Sequence, residues 1–330
     1  MPRRPLLGDI HESRFEETVI DLTNNDIQRL ARRSAEFVET GCPACLARNG
    51  LPAYELLGLQ YLRCRACSTV YLSPCPPQPL IMWYLETSEA LRYWREEMPL
   101  EVRVSRQSSL YDSRTADIVK RVDDLGIRPQ TIIDVGGGGG ELATSLAKTG
   151  LFRDVVVVEP QPLNLHDSRI RVVQSSFEEL VVPSRADVVV AFEVLEHIVD
   201  PETFLSKVRE ILKPDGVFIF STPNVDGFET SVLKTRSRAL WFDHVRLYNT
   251  RSIEILVGRC GFVVVQIETP GRLDLEIVAR EHAKTPLDTA GNPALEFLLG
   301  PGYRYKDEFR EFLRVTKQSS HMLCTVRPSP

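Results

Sequence analysis

This chain of 330 residues lacks the sequence features of membrane proteins, of secreted proteins and of proteins that bind nucleic acid or lipid through their overall charge. No apolar run approaches the roughly 20 residues that a membrane-spanning helix needs, since residues 155–158 and 188–192 have only the length of a strand. The first residues contain arginines but no apolar run behind them, so no secretory signal is predicted. The formal charge of -5 gives no general attraction to nucleic acid or to anionic lipid. We therefore expect a cytoplasmic protein with no membrane partner.

The composition excludes other classes. Hydrophobic residues make up 43% of the chain and charged residues 26%, which is the balance of an ordinary globular protein rather than a disordered or fibrous one. The length suggests two units, or one domain with large additions. Function must therefore be sought in particular sites.

Cysteine is scarce outside one short region. Cys42-x2-Cys45 is followed after 18 residues by Cys64-x2-Cys67. Each pair directs two sulfurs at one point, and this spacing is typical of a structural zinc site with four thiolates. Neither pair follows a strand–helix pattern, which disfavours a redox role. We predict a small zinc ribbon at residues 41–76, with short strands near residues 60–63 and 69–72.

The remaining chain divides by its hydrophobic pattern. Residues 1–40 form a predicted helical segment with a helix over 25–40, and residues 77–130 a second helical segment rich in aromatic side chains. From residue 131 to 330, short β-branched runs alternate with helical patterns, which indicates an α/β domain with a mainly parallel sheet. An insertion is predicted at about 271–318. The predicted strands are 131–135, 154–159, 170–174, 186–193, 216–221, 262–268 and 321–327.

A glycine-rich loop follows the first strand of this domain. Asp134 ends the strand, and glycines occupy positions 136 to 140, where backbone amides can approach a ligand that a Cβ would exclude. The loop is not a dinucleotide fingerprint, because Gly-x-Gly-x-x-Gly/Ala read from Gly136 would end on Glu141. No Gly-Lys-Ser/Thr follows for a triphosphate. What remains is Asp-x-Gly-x-Gly-x-Gly, with a second acid, Glu159, ending the next strand.

These residues resemble the class I S-adenosylmethionine (SAM) dependent methyltransferases, whose first motif is an acid plus spaced glycines and whose second strand ends in a ribose-binding acid. Residues 191–201, 212–216 and 221–224 look like further motifs of that family, in the same order. The resemblance covers roughly residues 116–270 and the last strand. It implies a Rossmann-like fold with a seven-stranded sheet, the last strand antiparallel, and SAM as cofactor.

The resemblance also implies which residues bind the cofactor. Asp134 would orient its amino group, and Glu159 would bind both ribose hydroxyls. Phe177 would offer its backbone amide to adenine. The other implied positions lie along the glycine loop, beside the adenine or beside the methionine portion: Gly136, Gly138, Gly140, Ser176 and Phe192.

Two histidines are candidates for acid–base chemistry. Methyl transfer is an in-line displacement, so the protein must align the acceptor and, for a weak acceptor, remove its proton. His197 lies just beyond the fourth strand, at the edge where ligands bind in α/β sheets, with Glu196 as its predicted orienting group. His244, beside Asp243 in the loop after strand five, is the second candidate. Both histidines can equally be structural, and this alternative stays open.

Two narrower resemblances give different chemistry. The zinc module in front of a class I domain looks like the sugar C-methyltransferases, in which the histidine of the Glu-His pair is the proposed base. Glu193-x-x-Glu196-His197 is similar to the metal-binding acids and histidine of ubiquinone-pathway O-methyltransferases, in which a hard cation helps to ionise a hydroxyl.

The prediction is a SAM-dependent C- or O-methyltransferase of a small molecule, a sugar or natural-product intermediate. We predict that the aromatic segment 77–130 caps the acceptor pocket through Trp83, Tyr84, Tyr93 and Trp94.

Two alternatives remain. The first is a ribosomal RNA methyltransferase whose ribbon binds RNA, since zinc-bearing enzymes of that kind are similar. The ribbon has only a mild basic excess, Arg48, Arg63 and Arg65 against Glu55, which disfavours a nucleic-acid partner. The other alternative is a scaffold protein that binds SAM without turnover.

Overall fold

The computed structural model describes residues 7–163, 165–177, 179–181, 185–241 and 243–330. The helices are α1 (Leu7–Ala31), α2 (Gln78–Thr87), α3 (Glu89–Glu97), α4 (Leu100–Arg106), α5 (Asp112–Asp124), α6 (Glu141–Thr149), α7 (Pro201–Ile211), α8 (Phe228–Leu233), α9 (Thr250–Arg259), α10 (Asp274–Lys284), α11 (Pro293–Leu299) and α12 (Lys306–Val315). The strands are β1 (Gly50–Leu56), β2 (Leu59–Cys64), β3 (Val70–Leu72), β4 (Thr131–Val135), β5 (Asp154–Val158), β6 (Ile170–Val173), β7 (Ala186–Phe192), β8 (Leu212–Pro223), β9 (Arg246–Leu247), β10 (Phe262–Glu268) and β11 (His321–Pro328).

Contacts divide the chain into two compact units. The first comprises the described residues of Met1–Val38, Cys75–Ala191 and Lys207–Val217, and the second those of Glu39–Pro74, Phe192–Ser206 and Phe218–Pro330. Within the described part of the chain, no helix combines the length and the apolar character that crossing a membrane requires.

Seven strands form the larger sheet, in the order β10-β11-β8-β7-β4-β5-β6. β4 pairs in parallel with β5 and with β7, and β5 pairs in parallel with β6. β11 pairs antiparallel with β8 and with β10. If the seven strands are numbered along the chain from β4, and the sheet is read from its β6 edge, the strand order is 3-2-1-4-5-7-6; β9 is not counted because it belongs to the smaller sheet. The predicted class I methyltransferase fold with an antiparallel last strand is therefore confirmed. β-branched runs buried on both faces explain why these segments form a parallel sheet.

The predicted helix over residues 25–40 is wrong at both ends, because α1 runs from Leu7 to Ala31 and only a short 3-10 turn follows, at Ser34–Glu36. Long-range packing extends the helix towards the N-terminus. Phe15 is buried and stacks on Tyr93, with ring centroids 5.5 Å apart. Asp26 is also buried and accepts hydrogen bonds from the Ser88 hydroxyl and the Ala90 amide of the α3 start. Such partners, distant in sequence, are invisible to a local pattern.

The aromatic side chains of segment 77–130 pack against α1. Trp94 contacts Phe15 as Tyr93 does, and the guanidinium group of Arg29 lies over the Trp83 ring, 5.4 Å from its centroid. These contacts lie within the first unit. The cap over an acceptor pocket stays a prediction.

The predicted ribbon is a sheet of its own, in the order β1-β2-β3-β9. β1, β2 and β3 pair antiparallel in sequence, as the two short predicted strands suggest. Its fourth strand, β9, comes from residues far along the chain and pairs antiparallel with β3. The ribbon is therefore completed by a segment that the cysteine spacing does not reveal.

Candidate functional site

The glycine-rich loop of the first unit connects β4 to α6. Gly136, Gly138 and Gly140 have φ angles of 68°, 56° and 79°, in the left-handed region that L side chains rarely adopt. At Gly137, a Cβ would lie only 2.5 Å from a methyl carbon of Val157 in β5. Backbone conformation and close packing thus require glycine along this loop.

Two carboxylates flank the loop, as predicted. Asp134 is 2% exposed, and its Oδ2 has no hydrogen-bond partner among the described residues. Burial raises the pKa of Asp134 to about 7, with Glu159 adding to the rise and Arg114 opposing it. Glu159 accepts hydrogen bonds from the amides of Gly138 (3.0 Å) and Gln161 (3.2 Å), although burial still raises its pKa. A buried, unsatisfied carboxylate oxygen is costly unless a cationic or donor group satisfies it, so Asp134 suits the ammonium group of a ligand.

The remaining predicted cofactor residues lie in different surroundings. Ser176 and Phe177 belong to the first unit, where the Ser176 hydroxyl accepts the Glu179 amide at 3.4 Å and Phe177 is buried. Phe192 is the last residue of β7 and is half-buried in the second unit. The structure therefore brings Asp134, Glu159 and the glycines together, whereas the cofactor roles of these last three residues stay predictions.

The candidate catalytic residues meet within the second unit. His197 ends the 3-10 turn Leu195–His197, and its ring lies edge-on to that of His244 at a centroid distance of 4.7 Å. Ligand atoms of Glu196, His197 and His244 all lie within 4.8 Å of one another. The two histidines are 47 positions apart in sequence, so the fold makes one cluster of two independent predictions.

Backbone carbonyls fix the orientation of both imidazoles. Nδ1 of His197 lies 3.0 Å from the carbonyl oxygen of Asp243, and Nδ1 of His244 lies 3.0 Å from that of Ala239. Because a carbonyl only accepts, each Nδ1 carries the proton and each Nε2 keeps its lone pair.

The two histidines differ in basicity. Burial lowers the pKa of His197, but Asp243, whose carboxylate lies 3.7 Å from Nδ1, and Glu196 raise it above the ordinary value. Burial and the neighbouring His197 lower the pKa of His244. His197 is therefore the stronger base of the two.

Glu196 is fully buried. Its Oε2 accepts a hydrogen bond from Thr222 at 3.0 Å, while Oε1 has no hydrogen-bond partner within the described part of the chain. Burial, with Glu193 adding to it, raises the pKa of Glu196 to about 8. Nδ1 of His197 donates its hydrogen bond to the Asp243 carbonyl oxygen rather than to Glu196. Because Glu196 is buried with a raised pKa, it holds either a proton or a cation at neutral pH.

His321 and its pairing with Glu193, beside this cluster, were not predicted from the sequence. Glu193 follows β7 with a left-handed φ of 57°, and its Oε1 accepts the Ser221 hydroxyl at 2.5 Å. Its Oε2 lies 3.3 Å from Nε2 of His321, which is half exposed. Partial burial lowers the pKa of His321, but Glu193, followed by Glu229, raises it to about 9. The sequence signals were Glu193 in the motif Glu193-x-x-Glu196-His197 and the position of His321 at the start of the last strand, which pairs with the carboxyl end of β8.

The four predicted zinc ligands converge in the second unit. Sγ–Sγ distances are 3.4 Å for Cys42–Cys67 and 3.5 Å for Cys45–Cys64, and all four sulfurs lie within 4.8 Å of one another. Four sulfurs at about 2.3 Å from a tetrahedral Zn²⁺ would be about 3.8 Å apart. Burial raises the pKa of the Cys42 thiol, which a bound cation would reverse. The donor set and its spacing therefore fit a closed, structural zinc site.

Comparison with known proteins agrees with this geometry. Residues 107–267 match the family model described as "Methyltransferase domain". The chain is similar to a ubiquinone biosynthesis O-methyltransferase of Azorhizobium caulinodans, 31% identical over 153 residues that cover 41% of this chain and 60% of that protein. For the protein of the same name from Cereibacter sphaeroides strain ATCC 17025, identity is 37% over 103 residues, or 28% of this chain and 41% of that protein.

The chain thus spans roughly two to three fifths of the length of these relatives. Among solved structures, a 1,6-didemethyltoxoflavin-N1-methyltransferase of Burkholderia thailandensis has 16% identity and a TM-score of 0.49, covering 84% of this chain and 99% of that one. The resemblance to sugar C-methyltransferases stays a prediction. The family match includes the glycine loop, His197 and His244, while the ribbon cysteines and His321 lie outside it. The sequence match and the strand order agree on a methyltransferase domain in this part of the chain.

Proposed function

We propose that the chain is a SAM-dependent methyltransferase that methylates a hydroxyl oxygen of a small-molecule acceptor. The observation that carries this proposal is the pair of carboxylates, Asp134 and Glu159, beside a glycine-only loop in a sheet with the class I strand order. The names of the relatives support oxygen as the methylated atom. The acceptor class proposed from the sequence, a sugar or natural-product intermediate, is retained with hydroxylated aromatic compounds beside it.

Asp134 and Glu159 supply the main cofactor contacts of this proposal. The ionised Asp134 binds the ammonium group of the methionine portion, which satisfies its unpartnered Oδ2. Glu159 accepts both ribose hydroxyls, and its present hydrogen bond from the Gly138 amide shows that the carboxylate already reaches the loop. When bound, SAM supplies an electrophilic methyl group on a sulfonium.

His197 is the proposed base. His197 accepts the hydroxyl proton on Nε2, so the O–H bond breaks while an N–H bond forms, and the oxygen electron pair is freed for attack on the methyl carbon. The Asp243 carbonyl holds the Nδ1 proton, and the Asp243 carboxylate at 3.7 Å stabilises the imidazolium that results. SAM held by Asp134 and Glu159 would supply the methyl group to the acceptor oxygen, and the electron pair of the S–CH₃ bond would stay on the sulfur.

A second variant of the same chemistry follows from the Glu196 cluster. One imidazole nitrogen of His197, one of His244 and one carboxylate oxygen of Glu196 form a donor set that suits a divalent cation. A cation held by Glu196, His197 and His244 would stabilise an ionised hydroxyl, and it would occupy the Nε2 that the base needs. Glu193, which the narrower resemblance included, is instead bonded to Ser221 and paired with His321. Metal analysis and turnover before and after mild chelation, with the ribbon zinc counted, decide between base and cation.

The experiment that tests the proposal is calorimetric binding of SAM and of S-adenosylhomocysteine to the zinc-loaded protein. We expect micromolar-range binding that Asp134→Ala and Glu159→Ala abolish, while Asp154→Ala, which removes a half-buried carboxylate at the start of β5, retains it. Absence of binding in the unmodified protein would contradict the proposal.

Binding is then followed by acceptor trials. Labelled methyl uptake by hydroxylated aromatics, nucleotide sugars and RNA identifies the acceptor, and mass spectrometry of the product locates the methylated atom. Salt-sensitive uptake by RNA alone would favour the RNA alternative, and binding without turnover on any acceptor would favour the scaffold.

A further inference from the structure

We infer that the zinc ribbon is a positioning element for the loop that carries Asp243 and His244, and that Arg246 and Asn249 connect the two. We call residues 243–249 the acceptor loop. The inference rests on the proposed function, because it assigns the ribbon to acceptor chemistry rather than to a separate binding partner. All residues involved belong to the second unit.

Backbone pairing makes the acceptor loop part of the ribbon sheet. β9, within the loop, pairs with β3 through Val70–Leu247 and Tyr71–Arg246, and the Leu72 amide donates to the Val245 carbonyl at 3.0 Å. β3 follows the second cysteine pair directly and pairs with β2 on its other side. A displacement of β3 therefore displaces the strand that follows His244.

Arg246 ties three segments together. It is 2% exposed, and its Nη1 donates to the carbonyl of Leu72 in the ribbon at 3.2 Å. Its Nη2 donates to the carbonyl of Val199 at 3.3 Å, two residues beyond His197. A buried guanidinium that loses a partner keeps its desolvation cost, so these contacts hold the ribbon, the acceptor loop and the His197 turn in one arrangement.

Asn249 connects the other end of the loop to a zinc ligand. Its Nδ2 donates to the carbonyl oxygen of Cys67 at 3.2 Å and to Asp226 at 2.8 Å. Its Oδ1 accepts the Ser252 amide and so begins α9. The peptide of a predicted metal ligand is thus bonded directly to the residue that ends the acceptor loop.

The ribbon depends on its metal for this role. It is a short sheet whose cysteines stand where a larger domain would have a core, and a structural zinc site of this kind contributes folding free energy directly. Without the metal, the positions of Cys67 and β3 are no longer fixed, and the acceptor loop loses its support. The residue contacts of Asp134 and Glu159 described above involve no ribbon residue, so the cofactor site should be spared.

The charges on the ribbon agree with this role. Arg63, one of three basic residues that suggested an RNA grip, is paired with Asp226 at 2.8 Å, and Asp226 also bonds Asn249. Arg63 thus belongs to the same connection between ribbon and loop.

The test uses the full chain loaded with zinc and compares Asn249→Ala with Asn249→Ser. Serine retains a helix cap but is too short to keep the bond to Cys67, so a pure capping role predicts rescue and a positioning role does not. Arg246→Lys breaks the second connection, and Arg48→Ala, an exposed ribbon residue, is the matched control. Zinc content, SAM affinity, acceptor kcat and KM, and amide hydrogen exchange over 243–249 are measured for each protein.

We expect Asn249→Ala, Asn249→Ser and Arg246→Lys to keep one zinc per chain and SAM affinity within about twofold. Hydrogen exchange over 243–249 should rise, and kcat/KM for the acceptor should fall by at least about tenfold, because small misplacements of catalytic groups are costly. Arg48→Ala should match the unmodified protein. Full rescue by Asn249→Ser, or unchanged exchange over 243–249 in all three variants, would overturn the inference.

Removal of zinc from the unmodified protein is the complementary measurement. Exchange should rise in the ribbon and in 243–249 together, with SAM still bound. A rise in hydrogen exchange that is confined to the ribbon would contradict the inference. If zinc removal unfolds the whole chain, the results for the zinc-loaded variants test the inference instead. Failure of SAM binding in the unmodified protein would refute the proposed function alone, since zinc content and exchange do not depend on turnover.

Discussion

The cofactor site and the acceptor cluster are constructed in opposite ways. The predicted cofactor residues of the first unit, from Asp134 to Phe177, lie within 44 consecutive positions, whereas the cluster around His197 combines residues from Glu193 to His321, a span of 129 positions. A site built from one continuous segment leaves a motif in the sequence. A site assembled from distant segments leaves isolated residues whose partners only the fold reveals.

Both regions contain a buried carboxyl group with an unsatisfied oxygen, Asp134 in one and Glu196 in the other. The difference lies in the neighbours. Asp134 lies beside an open glycine loop that a ligand can enter, while Glu196 is fully buried next to two imidazoles. Asp134 is therefore placed to contact a ligand, whereas Glu196 is placed to contact the candidate catalytic histidines.

The largest effect that separates the two regions is expected from His197→Ala. Loss of a general base typically lowers the rate by about 10²–10⁴-fold, and SAM affinity should stay unchanged because His197 is not one of the predicted cofactor contacts. His244→Ala is the matched comparison and should have a smaller effect, since the pKa of His244 is lowered. Single-turnover methyl transfer measures both. A full rate in His197→Ala would remove its role as base.

An intermediate effect is expected from pH on SAM binding. With a pKa of about 7, Asp134 is protonated below that pH and then cannot attract an ammonium group. Affinity should therefore fall about eightfold from pH 7.5 to 6, as the ionised fraction falls, and Asp134→Asn should bind weakly with no such dependence. Calorimetry at several pH values tests this.

The raised pKa of Asp134 also predicts how Asp134→Asn affects stability, which serves as a control for folding. Burial disfavours the charged form of Asp134, so this group costs stability increasingly as pH rises from its ordinary pKa near 4 to 7. Asp134→Asn should consequently melt no lower than the unmodified protein at pH 7.5. A lower melting temperature would show that the carboxylate is needed for the fold.

The smallest effect is expected from His321→Gln. Its pair with Glu193 at 3.3 Å is half exposed, and such pairs contribute little, so we expect about a threefold change in kcat/KM for the acceptor. SAM affinity should not change. A loss of a hundredfold or more would mean that His321 contacts the acceptor directly and that the cluster is larger than described.

Much of the fold was readable from local pattern. The strands predicted at 131–135 and 262–268 match β4 and β10 at both ends, because β-branched runs of strand length have few alternatives. Where the prediction of α1 failed, the deciding partners, such as Tyr93, lie far away in sequence. β8 begins four residues earlier than predicted, at Leu212, within a polar segment whose pattern does not indicate a strand.

The sites divide in the same way. The cysteine quartet was predicted from its spacing, and the two carboxylates of the glycine loop from a strand–acid–glycine pattern and the resemblance that it supports, since their geometry follows from short segments. Asp243 as the partner of His197, and the contacts of Arg246, depend on loops that approach only in the folded chain. No spacing rule relates residues so far apart.

The fourth strand of the ribbon also bears on how this protein can be divided or recombined. Arg246 follows Leu72 by 174 positions, yet the two are joined in one small sheet. A cut after residue 76 would remove β1 to β3 and expose the edge of β9, so the ribbon is not an interchangeable N-terminal module. In any chimera of this protein, the ribbon and residues 243–249 would have to be transferred together.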